Sequence, residues 1–576
     1  MANMNLTDFH DERLGSNVYI FSPSDSIEKI NEVIATIFKE QEANQFGKER
    51  YAIFFMPGKY DSKLRVDVGF YTQIAGLGLL PSDTKIPFLQ CNARWRGTPE
   101  NHVALCNFWR GVENLEVEQD TMWAVSQATF MRRVQIDGKL FLHDEYGWAS
   151  GGFLADSLVT DIVDSGSQQQ WLSRNNQYKA WQDEHWNQVF VGDEKGCTPK
   201  ETWPEKAYTV VEESPVIREK PFFLWDAEKG FGVFVPDFRR NANGYSWKEK
   251  NQRGQFIALD EFYVANPETD NLDGGKALNE ALAKGKHLLF TPGIYYLSET
   301  LKITKENTVV LGIGLASLIP TKKNTLMEVE DIDGVIIAGL LFDAGEKATK
   351  NLLVVGSPKS FSEGGKNHRE KPISLSDLFF RVGGTETKHP TKTDCCATIY
   401  AHDTVGDNFW LWRADHGSQV GWSKNVAKNG LKVYGNRTVF YALMVEHFNE
   451  YQTLFFGEDT KLYMYQSEIP YDVPSQIKWR SHKGKKNGYS SICVDEKVER
   501  FLAYGIGIYL CNKDASVLLD SSMEAPKKEG IEINNVCNIM LTPLPGIKHI
   551  INDEGEGAMT KLAHTRLCEY KGKMLR

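Results

Sequence analysis

One passage of this chain is repeated in its second half. Phe54-Phe55-Met56-Pro57-Gly58-Lys59-Tyr60 is followed by a polar strand and then by Ile74-Ala75-Gly76-Leu77-Gly78-Leu79-Leu80-Pro81. Leu289-Phe290-Thr291-Pro292-Gly293-Ile294-Tyr295 is followed by a strand and then by Val310-Leu311-Gly312-Ile313-Gly314-Leu315-Ala316. Apolar residues at helical spacing precede each copy, over 27–37 and 276–284. A duplication over this range means two copies of one folding unit, each built as helix, apolar strand, Pro-Gly-x-Tyr turn and a strand ending in Gly-x-Gly.

After each copy the chain continues in short β-rich segments separated by turn residues. In the second half these are 334–342, 374–382, 408–414, 438–445, 461–467 and 500–511. No long amphipathic helix lies between them to carry a parallel crossover. A solenoid meets that need by coiling, each turn stacking on the last. The expected class is all-β, with two tandem solenoids over 1–200 and 261–576. A β-rich linker over 201–260 holds a hairpin of 221–225 and 232–236 turning at 226–230. The helix near residue 27 caps one end. Nothing obvious caps the other, and its open strand edge leaves self-association available.

The repeated helix and Phe-x-Pro-Gly-x-Tyr…Gly-x-Gly opening resembles the pectate-lyase-like right-handed parallel β-helix superfamily. Two such units in one chain resemble the tandem β-helix exo-β-1,3-glucanases (laminarinases) of glycoside hydrolase family 55. The resemblance spans about 18–200 and 258–560. It implies two tandem right-handed β-helices with short capping helices. It further implies an inverting glucanase and secretion; separately, the site is expected in the second helix and no cofactor is expected. Fold by itself does not give function, and lyases and phage proteins share this opening.

Composition narrows the partners. The net charge of −10 disfavours nucleic acid, whose phosphates need a basic surface. No apolar run reaches the roughly 18 residues of a membrane span. Twelve per cent of residues are aromatic, including 14 Trp, which suits both sugar platforms and stacked solenoid interiors. Residues 1–8 show neither the basic nor the apolar region of a signal peptide. Nine cysteines without framework spacing read as free thiols of a reducing compartment. These two features point to a cytoplasmic or non-classically exported protein, against the resemblance. Asn5-Leu6-Thr7 and Asn436-Arg437-Thr438 match glycosylation sequons.

The densest chemical constellation lies where three strands end on acids. Phe409 to His416 closes on Asp415, Ala442 to His447 on Glu446, and Leu462 to Asp472 passes Glu468. Asp343 stands at the same place on an earlier coil. Adjacent coils lie about 4.8 Å apart, so aligned strand ends stack these acids into a ladder. Close carboxylates cannot all ionise, which raises a pKa and creates a proton donor. A raised acid beside an ionised one is glycosidase equipment. The expected roles are Glu468 as general acid and Glu446 as base or base-orienting group, with Asp415 as second candidate base. Arg413 and Arg437 are the cations placed to neutralise Asp415 and Glu446 instead.

Around the ladder, His416, His447, Gln466, Gln452, Trp422, Tyr451 and Tyr471 are the expected sugar contacts. Strand alternation sets Trp410, Trp412 and Ala414 on one side and Phe409, Leu411, Arg413 and Asp415 on the other. In the first half, Trp148-Ala149-Ser150-Gly151-Gly152 and Gln168-Gln169-Gln170-Trp171-Leu172-Ser173-Arg174 form a polar–aromatic cluster. Gln170, Trp171 and Arg174 are its expected substrate contacts across the groove. No zinc spacing and no phosphate loop occurs. The expected function is hydrolysis of a β-glucan, with β-1,3 as the linkage. The alternatives are a non-catalytic carbohydrate-binding or self-assembling β-helix, and a polysaccharide lyase for which Arg413 would be the base.

Overall fold

The computed structural model describes residues 9–96, 100–249, 252–513, 515–544 and 546–575. The Asn5 sequon and the 1–8 stretch read for a leader lie outside them. Parallel strands from Val18–Phe21 to Tyr208–Val211 stack into a 12-stranded sheet, flanked by a six-stranded one. A second stack, from Phe262–Ala265 onward, has sheets of 13 and nine strands. Between them lie antiparallel ribbons, Ser214–Arg218 with Phe238–Ala242 and Phe222–Asp226 with Gly230–Pro236. The architecture is two tandem parallel β-helices.

The repeated motif has a physical reason. In the first copy the Tyr60 hydroxyl donates to the carbonyls of Phe21 at 2.7 Å and Met56 at 3.0 Å. In the second, Tyr295 donates to Ala265 at 2.9 Å and Thr291 at 3.0 Å. Each tyrosine ties the Pro-Gly turn to the strand one coil earlier. The helix Ile27–Gln41, N-capped by Ser26, closes the first interior with Ile30, Ile34 and Ile37. Lys276–Ala283 closes the second with Leu278, Ala281 and Leu282. The far end is not left open as the sequence suggested. His564–Lys571 pairs antiparallel with the last long strand, Ile531–Met540, and covers its edge.

Six successive strands of the second stack matter for function. They are β1 (Ile336–Asp343), β2 (Ser374–Val382), β3 (Val405–Arg413), β4 (Val439–Glu446), β5 (Thr460–Glu468) and β6 (Phe501–Leu510). Each contains one left-handed residue: Gly339, Asp377, Asn408, Ala442, Met464 and Gly505, with φ between 49° and 71°. Glycine adopts this conformation freely, and Asp and Asn tolerate it. Ala442 and Met464 hold it at a cost of about 1 kcal/mol each. The bend resets which way the remaining side chains face. Beyond it, Phe409 and Leu411 enter the interior while Trp410 and Trp412 point out toward the first stack.

That outward face forms the seam between the helices. Trp410 and Trp412 pack against Phe108 and Trp109 at centroid distances of 4.7 to 5.9 Å. Buried ion pairs fix the relative position. Arg132 meets Asp377 and Asp407, both at 2.7 Å. Arg174 meets the linker's Glu219 at 2.7 Å and Asp407 at 3.0 Å.

Candidate active site

Four residues after each bend comes the last outward position of the strand. Register places Asp343, Arg381, Trp412, Glu446, Glu468 and Tyr509 in one row across β1 to β6. Glu446 and Glu468 are therefore direct neighbours on adjacent coils. They and His447 bring ligand atoms within 4.8 Å of one another. Asp415 is not the next member of the row, as the aligned strand ends had suggested. Trp412 holds that rung. Asp415 lies two residues past the end of β3, and approaches the pair from the loop instead.

Each acid has a different environment. Glu446 is sealed in the seam, its side chain 3% exposed. Its carboxyl accepts from Gln127 Nε2 at 2.8 Å, and Gln127 Oε1 accepts from the Ser150 hydroxyl at 2.7 Å. Both partners belong to the first helix. Glu468 keeps 15% of its side chain open to the cleft. The Tyr471 hydroxyl donates to it, and Gln466 Nε2 lies 3.3 Å away. His447 bridges the two, 4.0 Å from Glu446 and 3.5 Å from Glu468. Asp415 takes His416 Nδ1 at 2.7 Å and Lys513 Nζ at 2.8 Å.

The charges follow. Burial, then the charge of Asp415, pushes Glu468 up to about 7 against the Tyr471 hydrogen bond. Burial and the charge of Glu468 hold Glu446 well above the usual range. The pair therefore keeps a proton near neutral pH. Burial depresses His447 to about 4, so its ring is neutral. Burial works against Asp415, but the His416 hydrogen bond, the neighbouring histidines and Lys513 hold its carboxyl far below the usual range. In return, and despite burial, Asp415 lifts His416 to about 9.

The arginines named as neutralising partners are occupied elsewhere. Arg413 is bidentate on Asp472 at 2.7 and 2.9 Å, and Arg437 pairs with Asp403 at 2.7 Å. Arg413 is thereby also removed as a lyase base.

Several expected sugar contacts prove to be structural. Trp171 is sealed inside the first helix. The buried Gln170 amide donates to the Ser150 carbonyl. Arg174 is spent on the seam, because its neighbours there are two carboxylates. Gln452 is buried and staples its own loop through the Phe448 backbone at 2.8 and 2.9 Å. Trp422, packed on the second interior beneath Arg413, and Tyr451, edge-on to Tyr489, are only half-buried and do not belong to this structural set. The structure brings together Glu446, Glu468, Asp415, His416, His447, Gln466 and Tyr471.

What sequence reasoning missed comes from the first helix and from Lys513. Gln127 carries no motif, and only contact across the seam reveals it. Ser150 and Trp148 stood in the polar–aromatic cluster without being singled out. Trp148, 38% exposed, stacks on Trp186 at 5.8 Å. Trp186 in turn reaches Tyr509, the rung beyond Glu468, at 5.5 Å. An aromatic wall thus flanks the acids.

Among the described residues, Glu446, His447 and Glu468 could ligate a metal ion, as could His102, Asp144 and Glu145. In the second set Arg94 already holds both Asp144 oxygens at 3.1 and 3.2 Å.

Fold and cleft define a tandem parallel β-helix protein with a paired-carboxylate site at the seam. The LAM55 pectate lyase-like domain model matches residues 262–468. An exo-beta-1,3-glucanase of Streptomyces sp. (strain SirexAA-E / ActE) is 40% identical over 551 residues, covering 94% of this chain and 87% of that protein. The structure of sacteLam55A from Streptomyces sp. SirexAA-E superposes with a TM-score of 0.89 at 38% identity, covering 97% of this chain and 98% of the other. A glutamate-to-alanine variant of that protein in complex with glucose superposes with a TM-score of 0.88 at 37% identity, with the same coverage. This chain belongs to glycoside hydrolase family 55.

Proposed function

We propose that the protein hydrolyses β-1,3-glucan in the cleft between its two helices, acting from a chain end. The observation that carries this reading is the Glu446–Glu468 pair, which keeps a proton near neutral pH beside an open cleft. The activity named for the Streptomyces relative supplies the linkage.

Glu468 has the open side and hands its proton to the glycosidic oxygen as that bond breaks. Glu446 projects from the adjacent rung of the same sheet, so both acids approach a bound sugar from one side. An inverting pair needs roughly 6.5–9.5 Å and opposite faces. Glu446 accordingly works at one remove. In the state with the pair's single proton on Glu468 and Glu446 ionised, a water at Ser150 attacks the anomeric carbon. Its proton goes to Ser150 Oγ as the Ser150 proton moves to Gln127 Oε1 and a Gln127 Nε2 proton moves to Glu446. Neutral His447 and the Lys513–Asp415–His416 chain keep the acid oriented and its proton in place.

Chain-end action has support in the loop 43–50. Phe46 stacks on Trp412 at 6.3 Å and edges onto His416 at 5.7 Å. Gln45 meets His416 at 2.6 Å. The groove is walled at this point, which favours a terminus over a mid-chain segment. The test is sugar release from β-1,3-, β-1,6- and α-glucans, with the first-formed anomer read by NMR. Glucose released from the β-1,3 polymer as the α-anomer supports the reading. Release from none of them by folded protein sinks it.

A further inference from the structure

The wall made by Phe46 has a second side. There a cavity of about 910 Å³ opens between the loop 43–50 and the turns that follow β1 and β2. It belongs to the same register row as the acids, since Asp343 and Arg381 line it. Those rungs stand three and two coils before Glu446, roughly 10–15 Å along the stack. The volume suits a ligand of several rings.

The lining chemistry selects the ligand. Of its deep charges, one pair is matched within the protein. Arg381 is bidentate on Asp343 at 2.6 and 2.7 Å. Arg50 lies over the Tyr71 ring at 3.6 Å and donates to the carbonyls of Gly47 and Glu49, both at 2.9 Å. The buried Arg50 Nη2 has no hydrogen-bond partner among the described residues, which leaves a deep donor free for a ligand oxygen. Around the space stand the hydroxyls and amides of Asn44, Thr321, Thr385 and Thr387, with side chains of both charges between them, Lys347, Lys388, Glu346 and Glu386. Beside them stands Tyr296, 42% exposed. Neutral hydrogen-bonding groups beside an aromatic face recognise polyhydroxylated rings.

We propose that this cavity is a second carbohydrate-binding site, which holds a neutral β-glucan segment from a chain other than the one being cleaved. This rests on the β-1,3-glucanase reading for the identity of the sugar. The Phe46 wall separates the two sites, so one chain end enters the catalytic cleft while a neighbouring chain anchors the enzyme to a particle.

Two variants test it. Tyr296→Ala removes the platform, and Thr385→Trp fills the space. Binding is read by co-sedimentation with insoluble β-1,3-glucan particles in a Glu468→Gln background. Turnover of a soluble β-1,3-linked trisaccharide is read in the active enzyme, with melting temperature as the folding control. Both variants should weaken sedimentation roughly tenfold, the worth of one stacked ring. Trisaccharide kcat/KM should stay within about twofold of the parent. Unchanged sedimentation in both variants overturns the proposal, as does trisaccharide turnover that falls in step with binding. Failure of the glucanase reading itself shows separately, as a parent enzyme that turns over no trisaccharide.

Discussion

Asp343 and Glu468 stand in one row of the second helix, four coils apart, and only Asp343 is met by an arginine among the described residues. Arg381 fills the rung beside Asp343 and fixes it as a structural anion. The rung beside Glu468 is filled by another carboxyl. The same strand position thus gives a permanent salt bridge at one end of the row and a proton donor further along it. The difference lies in what the neighbouring coil supplies.

Replacing the donor should separate activity from stability. Glu468→Gln keeps the shape and loses the proton, so kcat should fall by roughly 10²–10⁴. The folded-state value of about 7 lies above the ordinary 4.5. Ionising Glu468 therefore costs stability progressively as pH rises from about 4.5 through 7. Glutamine is spared that loss. The variant's melting temperature should gain on the parent between pH 5 and pH 8, by the equivalent of at most about 3 kcal/mol. A parallel loss of fold and activity would count against the assignment.

The pH profile should report the loop acid. The parent rate should fall as pH rises through about 7, where Glu468 gives up its proton. Asp415 contributes negative charge that holds this value up. Asp415→Asn removes that charge and frees Lys513, so the alkaline limb should move to lower pH by about one unit. An unmoved limb would exclude Asp415 from the site's electrostatics.

Gln127 is the link across the seam. Gln127→Ala removes the 2.8 Å hydrogen bond to the buried Glu446 carboxyl, at about 1–3 kcal/mol of stability. The rate should fall roughly 100-fold with KM little changed. Ser150→Ala acts on the same chain of hydrogen bonds. The double variant should therefore be no worse than the worse single one, which a double-mutant cycle in kcat would detect.

The seam should matter more than the surface. Arg132→Met removes the cation shared by the buried Asp377 and Asp407, leaving them Lys220 at 3.3 Å and Arg174 at 3.0 Å, and should cost about 3 kcal/mol. The more open Arg437–Asp403 pair should cost no more than about 1 kcal/mol when broken by Arg437→Ala. Urea midpoints of the two variants give the comparison.

Much of the fold was legible in the sequence, because the Pro-Gly-x-Tyr turn and the capping helices are local devices. The hairpin turn at Asp226–Gly230 and strand β2 lie where turn residues and apolar runs placed them. Glu446 and Glu468 were legible as acids at strand ends. Asp415 was misplaced because the strands were aligned by their ends, and β3 runs into a loop before reaching it. Strand alternation was right for Phe409 to Trp412, but carrying it past the strand end to Asp415 set Trp412 apart from the acids when Trp412 shares their row. Gln127 and Arg174 were beyond reach for another reason. Their roles depend on partners 319 and 233 residues away. No periodicity within one helix encodes a contact with the other.

Each bend also acts as an origin for counting. From Gly339 to Asp343, Ala442 to Glu446 and Met464 to Glu468 the interval is the same, and the turns between coils play no part in it. The loops can change length without moving Glu446 or Glu468. A single residue gained or lost inside the four-residue interval would instead turn the carboxyl from the cleft into the hydrophobic interior. Length variation among related chains should therefore crowd into the loops and be excluded from this short ruler.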